Sequence, residues 1–394
     1  MAQLINVGGL PILSRLYGTE AFATLAVFLS IGLIVLSFST FQLDLAIVKT
    51  QDLKERVVLA KTAFFSVLII ATMVSMLTLC FGNYVNPAIN FFFTVLLFVY
   101  LITNAGNQIL IFFFNSEKEY RIISLSKILL NAVNLFLAIL FFYGQYYISL
   151  IQAITMANVV SFLCLIFFFR KNIRPLLQIQ NPKMGIMIRK NFNFIKYSTP
   201  AKIFDVLAYQ IIILVASAYF TEKITGSFFM AMRIVLLPSA LIGYAVGQVF
   251  YKDISDKIFK QQLTSKSFYQ IWKILFALAI IPFGILFFYG ELLFQIVLGE
   301  GWELAGKFAT IISLVGFFNF MSSPTSSGYV VLGKQHFNLV NSFFRTFFIS
   351  LFLWISYREQ DFFLFLYYYT FVEVALMILY NLGMIWLVNN QKIK

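Results

Sequence analysis

From Ala21 to Val48 the chain carries a single charged side chain, Asp44. No soluble helix of that length stays so apolar, and the run is long enough to cross a bilayer. Just before it, a short apolar segment ends in a turn built from Ser14, Arg15, Tyr17, Gly18, Thr19 and Glu20. An acid inside a membrane span is costly unless it finds a partner or a watery cavity. Apolar span, short loop, and an isolated ionisable group within the span form the pattern that the rest of the chain repeats.

Of the 394 residues, 61% are hydrophobic, 19% aromatic and 11% charged. A soluble domain carries roughly 25% charged residues, so the sequence reads as an all-α integral membrane protein. Forty-nine Phe and twenty Tyr suit lipid-facing helices and interfacial belts. A transmembrane β-barrel would alternate apolar and polar residues, and these runs do not. No cleavable signal is visible, since the first charge is Arg15. Cys80 and Cys164 lie in separate spans near opposite faces, so neither a disulfide nor a metal site is expected.

The apolar runs mark about twelve spans, near 1–14, 21–48, 59–81, 88–113, 122–143, 147–169, 198–219, 226–250, 270–290, 305–332, 337–356 and 362–388. The first is short for a core of ~30 Å and reads as a shortened or partial span. Lys and Arg gather in alternate loops: Lys49 to Lys61, Lys118 to Lys127, Arg170 to Lys196, Lys252 to Lys273, Lys334 and the terminal lysines. The opposite side has only Arg15, Lys223, Lys307 and Arg358, beside acids such as Glu291, Glu300 and Glu303. The excess marks the first set as cytoplasmic and both termini as inside. The net charge of +13 is then a topology signal that meets anionic lipid head groups. It is not a nucleic-acid footprint, because the basic loops contain no recognition module.

The segment from Arg170 to Lys196, with Pro175 and Pro182, is the longest polar interruption. It divides the chain into two groups of six spans, 1–185 and 186–394. A short echo between Tyr17-Gly18-Thr19-Glu20 and Tyr219-Phe220-Thr221-Glu222 is consistent with parallel repeats, and equally with coincidence in a Tyr-rich chain.

Six ionisable residues are embedded: Asp44, Lys202, Asp205, Arg233, Arg345 and Glu373. Arg345 and Glu373 each stand fourteen residues from Glu359, on antiparallel spans. Equal depth allows an interhelical ion pair, or a lumen pair that substrate or a proton can break. Arg233 has no acid at matching depth on its hairpin neighbour, and its planar fork suits a phosphate. Lys202 and Asp205, spaced i, i+3 beside Pro200, can pair and snorkel to the interface. Asp44 lies five residues from Lys49, so an interface position and a cavity role both stay open. Asn104, Asn107 and Gln108 share one helical face, as do Lys127, Asn131 and Asn134. Asn107 and Asn131 are expected at similar depth, bonding between helices or lining a polar wall. Pro200, Pro238, Pro282 and Pro324, with the serines around Pro324, mark helix breaks that could act as hinges. His336, the only histidine, reads as a solvated turn residue. No phosphate loop, ligand cluster or nucleophile–base pair is present in the sequence.

These details resemble a family. Leu10-Pro11-Ile12-Leu13-Ser14-Arg15-Leu16-Tyr17-Gly18, with Phe22, is similar to the first turn of bacterial O-antigen and capsule flippases, of the multidrug/oligosaccharidyl-lipid/polysaccharide exporter superfamily. Asp44-Leu45-Ala46-Ile47 resembles that family's acidic motif closing the second span. Arg233, Pro238 and Gly247-Gln248-Val249-Phe250 resemble its eighth span. Gly301-Trp302 with Ala305, Ser322-Ser323-Pro324 and Val331-Leu332-Gly333-Lys334-Gln335 resemble its tenth. The matches run in order along most of the chain. Gln42 stands where many members place a basic residue before the acid.

The resemblance implies two six-helix lobes around a central cavity in the bacterial inner membrane. It implies a polyprenyl diphosphate-linked oligosaccharide as substrate, with membrane lipids and other polysaccharide assembly proteins as further partners. No enzyme activity and no cofactor are expected. Arg233 is the first candidate for the diphosphate and Arg345 the second, because a cationic group lowers the barrier for an anion crossing the core. Asp44, Lys202, Asp205 and Glu373 are candidates for charge pairing or for coupling to a proton or sodium gradient. Two rivals are a drug exporter of the same superfamily and a membrane polysaccharide polymerase. The first would favour a net negative cavity, and the second a sizeable outer loop that this chain lacks.

Overall fold

The computed structural model describes residues 1–85, 89–146, 148–173, 184–192, 194–243, 246, 254, 265–325, 328–329, 332, 334 and 336–390. Among them every regular element is helical, and eleven helices are long and apolar enough to cross a membrane. The helices are α1 (Ala2–Leu16), α2 (Thr19–Ser39), α3 (Leu43–Lys49), α4 (Leu53–Val85), α5 (Phe91–Ser116), α6 (Tyr120–Tyr143) and α7 (Ser149–Ile173). After them come α8 (Met184–Lys190), α9 (Thr199–Tyr219), α10 (Glu222–Val235), α11 (Ser265–Leu298), α12 (Glu303–Thr325), α13 (His336–Glu359) and α14 (Phe362–Asn390). The first expected span is helical, but its fifteen residues reach only about 22 Å.

Helix starts follow local chemistry. The Asn90 side chain accepts from the Phe93 amide at 2.9 Å and opens α5, and Thr221 does the same for Ile224 at 3.3 Å at the start of α10. The Asp361 carboxylate accepts from the amides of Phe363 and Leu364, capping α14 just after the tight turn at Gln360 (φ 54°). These bonds satisfy amides that have no partner within the helix. Glu20 and Glu222, the echoing acids of the sequence, both fall in a first helical turn, where the helix dipole favours them.

One expected span is two helices. The run from Ala21 to Val48 breaks after Ser39: Phe41 and Gln42 take left-handed φ values of 51° and 55°, and α3 starts anew at Leu43. Non-glycine residues rarely adopt that conformation, so neighbouring groups must hold it. Gln42 Nε2 donates to the Ser37 carbonyl at 3.2 Å, and Ser66 Oγ on α4 donates to the Ser39 carbonyl at 2.8 Å. The only sequence sign of this break is the polar cluster Ser37, Ser39, Thr40 and Gln42, inside a run that is apolar on both sides.

Close contacts divide the chain into two units, Met1–Ala218 and Tyr219–Lys394. In the first unit, α5 lies against α4 and α7, α6 against α7, and α1 against α6. Tyr17 fixes the α1–α2 turn by donating its hydroxyl to the Ala138 carbonyl at 2.7 Å, with its ring edge-on to Phe142. Phe22, Phe28, Phe93, Phe113 and Phe114 fill this core. Residues 199–218 of α9 cluster with this unit, and Ser30 on α2 donates to Gln210 on α9 at 2.9 Å. In the second unit, α12 is the central helix, packed against α10, α11 and α14, with Trp302, Phe308, Phe365 and Tyr369 buried.

Candidate functional site

The depth argument for Arg345 and Glu373 meets a direct test. Arg345 Nε lies 2.6 Å from Glu373 Oε1, and its terminal nitrogen 2.6 Å from Oε2, a two-pronged pair between α13 and α14. Glu373 is 1% exposed and Arg345 11%. Fork-to-fork geometry of this kind is the strong form of a charge-assisted hydrogen bond. It neutralises both charges where neither could be solvated cheaply.

Arg233 occupies the last turn of α10, one turn before Pro238. Proline cannot continue the helix ladder. The α-helix ends at Leu236, and the chain goes on through a wider turn of π type, Ser239–Gly243. Interruptions like this are frequent at functional sites of helical proteins. Arg233 is half-buried on the helix that packs against α12. Lys202 and Asp205 do pair, at 3.5 Å, with both side chains nearly half exposed. That suits an interfacial pair of small energetic weight. The Gly247-Gln248-Val249-Phe250 motif lies outside the described residues, as do Pro175, Pro182, Ser326, Ser327, Val331, Gly333 and Gln335. Ser322 is described, and it accepts from Asn381 Nδ2 on α14 at 2.6 Å.

Asp44 is 1% exposed and is held entirely by neutral donors. Gln108 Nε2 on α5 donates to Oδ2 at 2.7 Å, while Thr40 Oγ1 and the Leu45 amide donate to Oδ1 at 3.2 and 3.1 Å. Its charge therefore meets hydrogen-bond dipoles rather than a cation among the described residues. The carboxylate also ties together the two sides of the α2–α3 break, since Thr40 precedes it and Leu45 follows.

Gln108 begins a polar seam between α5 and α7. Asn107 Nδ2 donates to the Asn158 carbonyl at 3.1 Å and lies 3.4 Å from Asn158 Oδ1, which also accepts from Asn104 at 3.3 Å. Asn158 Nδ2 returns to the Ile154 carbonyl at 2.8 Å. Asn107 was expected level with Asn131, yet its partner is on α7, because α7 rather than α6 is the main neighbour of this face of α5. Asn131 instead donates to the Ala2 carbonyl of α1 at 3.1 Å. Asn158 escaped the sequence reading. The signal that could have found it is the stripe Gln152, Thr155, Asn158, with i, i+3, i+6 spacing in an otherwise apolar span.

The family description "Polysaccharide biosynthesis protein" matches residues 12–306. No curated protein matches the chain. Among solved structures, an inward-facing multidrug resistance MATE family transporter of the MOP superfamily is 16% identical. That match covers 99% of this chain and 96% of the other, with a TM-score of 0.73. The lipid II flippase MurJ in an inward closed conformation is 11% identical over 97% of this chain and 85% of the other, with a TM-score of 0.76. A MOP superfamily transporter from Pyrococcus furiosus is 12% identical over 98% and 94%, with a TM-score of 0.61. Identities this low establish likeness of fold alone, and that fold is one of transporters and flippases. With three quarters of its length under one family description, the chain belongs to the polysaccharide biosynthesis protein family, as a multi-pass membrane protein with the MOP transporter fold.

Proposed function

We propose that this chain flips polyprenyl diphosphate-linked oligosaccharide units from the cytoplasmic to the outer leaflet, by alternating access, for O-antigen or capsule synthesis. In this reading residues 1–185 and 186–394 are the two six-helix halves. The basic loops and both termini face the cytoplasm of a bacterial inner membrane. Family membership combined with a transporter fold that a lipid II flippase shares is the observation that carries the reading.

The site follows from the charges. Arg345 is already clasped by Glu373, so recruiting it for an anion means breaking a two-pronged buried pair. Arg233 stands at a helix interruption, and its planar guanidinium has the fork geometry that suits a diphosphate. It is therefore the first diphosphate ligand, and Arg345 the second. Asp44, Asp205 and Glu373, with Lys202, supply charge pairing and coupling. A drug exporter is the second reading, favoured by the fold likeness to multidrug transporters.

Deleting the gene in its host and following lipid-linked sugars in each leaflet separates the readings. Lost surface polymer with complete lipid-linked units held in the inner leaflet supports the flippase. Units that reach the outer leaflet without chain growth point to a polymerase. Intact polymer with new sensitivity to cationic dyes points to drug export. Arg233→Gln is expected to leave the protein in the membrane and lower surface polymer about tenfold, the effect of losing about 1.4 kcal/mol in the rate-limiting state. Normal polymer at equal protein level removes Arg233 from the site.

A further inference from the structure

The echo between Tyr17-Gly18-Thr19-Glu20 and Tyr219-Phe220-Thr221-Glu222 has two different fates. Tyr17 follows α1 and meets the last turns of α6, where its hydroxyl bonds Ala138 and its ring stands edge-on to Phe142. Tyr219 ends α9 and meets the last turn of α13, where its ring centre lies 4.4 Å from that of Tyr357. The two tyrosines hold matching places, but Tyr17 is 8% exposed and Tyr219 53%. One copy is sealed into the core and the other is open.

The open copy has company. Trp354, one turn before Arg358 on α13, is 55% exposed, and the Arg358 guanidinium carbon lies 4.9 Å from its ring centre. Trp354, Tyr357 and Arg358 share one side of the helix by their i, i+3, i+4 spacing. Exposed Val340, Phe343, Phe347 and Leu351 lead along α13 towards Trp354. The cluster therefore sits where hydrocarbon gives way to head groups, at the end of α13 expected outside. An interfacial belt accounts for rings at this level. It does not account for an arginine held over one of them at the end where the charge bias leaves few basic residues.

The chemistry of the cluster selects a ligand. Trp354, Tyr357 and Tyr219 offer flat apolar faces with hydroxyls at their edges. Arg358 brings donors and the exposed Glu359 acceptors. A sugar has the matching surface: ring faces of C–H bonds and a rim of hydroxyls. An isolated phosphate would fit Arg358 but would meet the charges of Glu359 and Asp361 beside it, both exposed.

We propose that the outer end of α13 is a carbohydrate-binding platform. It takes the sugar of a lipid-linked glycan in the outer leaflet, stacked on Trp354, Tyr357 and Tyr219, with Arg358 and Glu359 on its hydroxyls. The proposal rests on the flippase reading and gives the unit a holding place after it has crossed.

The test uses the full chain in lipid nanodiscs, with the repeat unit cut from the host's own surface polymer as probe. Saturation-transfer NMR, titrated with the probe, reads weak sugar binding and shows which sugar protons touch the protein. Transfer to ring C–H protons is expected in the wild type, equally in phosphatidylcholine and in phosphatidylglycerol discs. Trp354→Leu should weaken binding at least about tenfold and Arg358→Gln about threefold. Trp386→Leu, at a comparably exposed tryptophan near the other end of α14, should leave it unchanged. No transfer in the wild type overturns the proposal, as does a Trp354→Leu variant with wild-type affinity. Binding that is lost in phosphatidylglycerol discs also overturns it, because the site is then one for lipid phosphates. Failure here, with lipid-linked units still trapped in the gene deletion, removes the platform and leaves the flippase reading standing. Intact polymer in the deletion removes that reading, whatever the platform binds.

Discussion

At the residue scale, the clearest case is Arg345 with Glu373. Counting equal distances from Glu359 along two antiparallel helices was enough to bring them level, and the structure joins them at 2.6 Å. Removing one partner strands the other charge in the core, whereas removing both does not. Arg345→Met and Glu373→Gln should each cost about 3–5 kcal/mol. The double replacement Arg345→Met with Glu373→Met should recover most of that. Thermal unfolding of the three proteins in nanodiscs decides it. A double variant as unstable as the worse single one would mean that the pair's worth lies outside the pair. The Asp44–Gln108 bond was not legible in the same way. Depth can be counted across a short hairpin turn, but the side chain of Asp44 points where the α2–α3 break sends it. That break rests on two left-handed non-glycine residues which no composition rule locates.

At the element scale, the same contrast separates straight helices from interrupted ones. Runs of apolar residues between charged or turn-rich loops made the α5 to α7 spans readable to within a few residues, while α4 starts at Leu53, earlier than the expected 59. The breaks at Phe41, Pro238 and Tyr289 are different. Pro238 announces itself, while Tyr289 (φ −126°, ψ 17°) interrupts α11 seven residues after Pro282, the residue the sequence had marked. The cause lies in packing. A Cβ on Gly306 of α12 would meet Glu291 Cα at 2.5 Å and the Gly290 carbonyl oxygen at 2.8 Å, so the two backbones touch beside the kink. Small residues permit such crossings in membranes. At Gly106 the nearest atoms a Cβ would meet belong to the Phe162 ring, at 2.3 Å, and a side chain can turn away. Gly306→Ala should therefore destabilise the protein more than Gly106→Ala, by roughly 1–3 kcal/mol as expected for overpacking. Expression level and unfolding temperature of the two variants, measured side by side, check the order. Equal losses would mean that the α11–α12 crossing gives way as readily as a ring.

At the scale of the whole molecule, the net charge of +13 and its bias to alternate ends of the spans carry the expected orientation of the chain. Sequence alone could read the hydropathy that selects membrane helices, because it acts segment by segment, and the charge bias adds an expected orientation. The seam between α5 and α7 needed the fold, since it depends on which helices become neighbours. The orientation itself is open to a decisive measurement. Glu119, in the α5–α6 turn, and Glu300, in the α11–α12 turn, are both exposed and sit at opposite ends of the expected spans. With Cys80 and Cys164 first replaced by serine, Glu119→Cys and Glu300→Cys give one reporter per side. A membrane-impermeant maleimide applied to intact spheroplasts should label Glu300→Cys. It should reach Glu119→Cys only after the membrane is opened, because that turn belongs with Arg56, Lys118 and Arg121 on the side held in the cytoplasm. Arg56 already binds Glu117 there at 2.5 Å, fastening the start of α4 to the same turn. The reverse labelling pattern would turn the whole chain over. Substrate would then have to be loaded from the opposite leaflet, and the direction of flipping proposed above would fail with it.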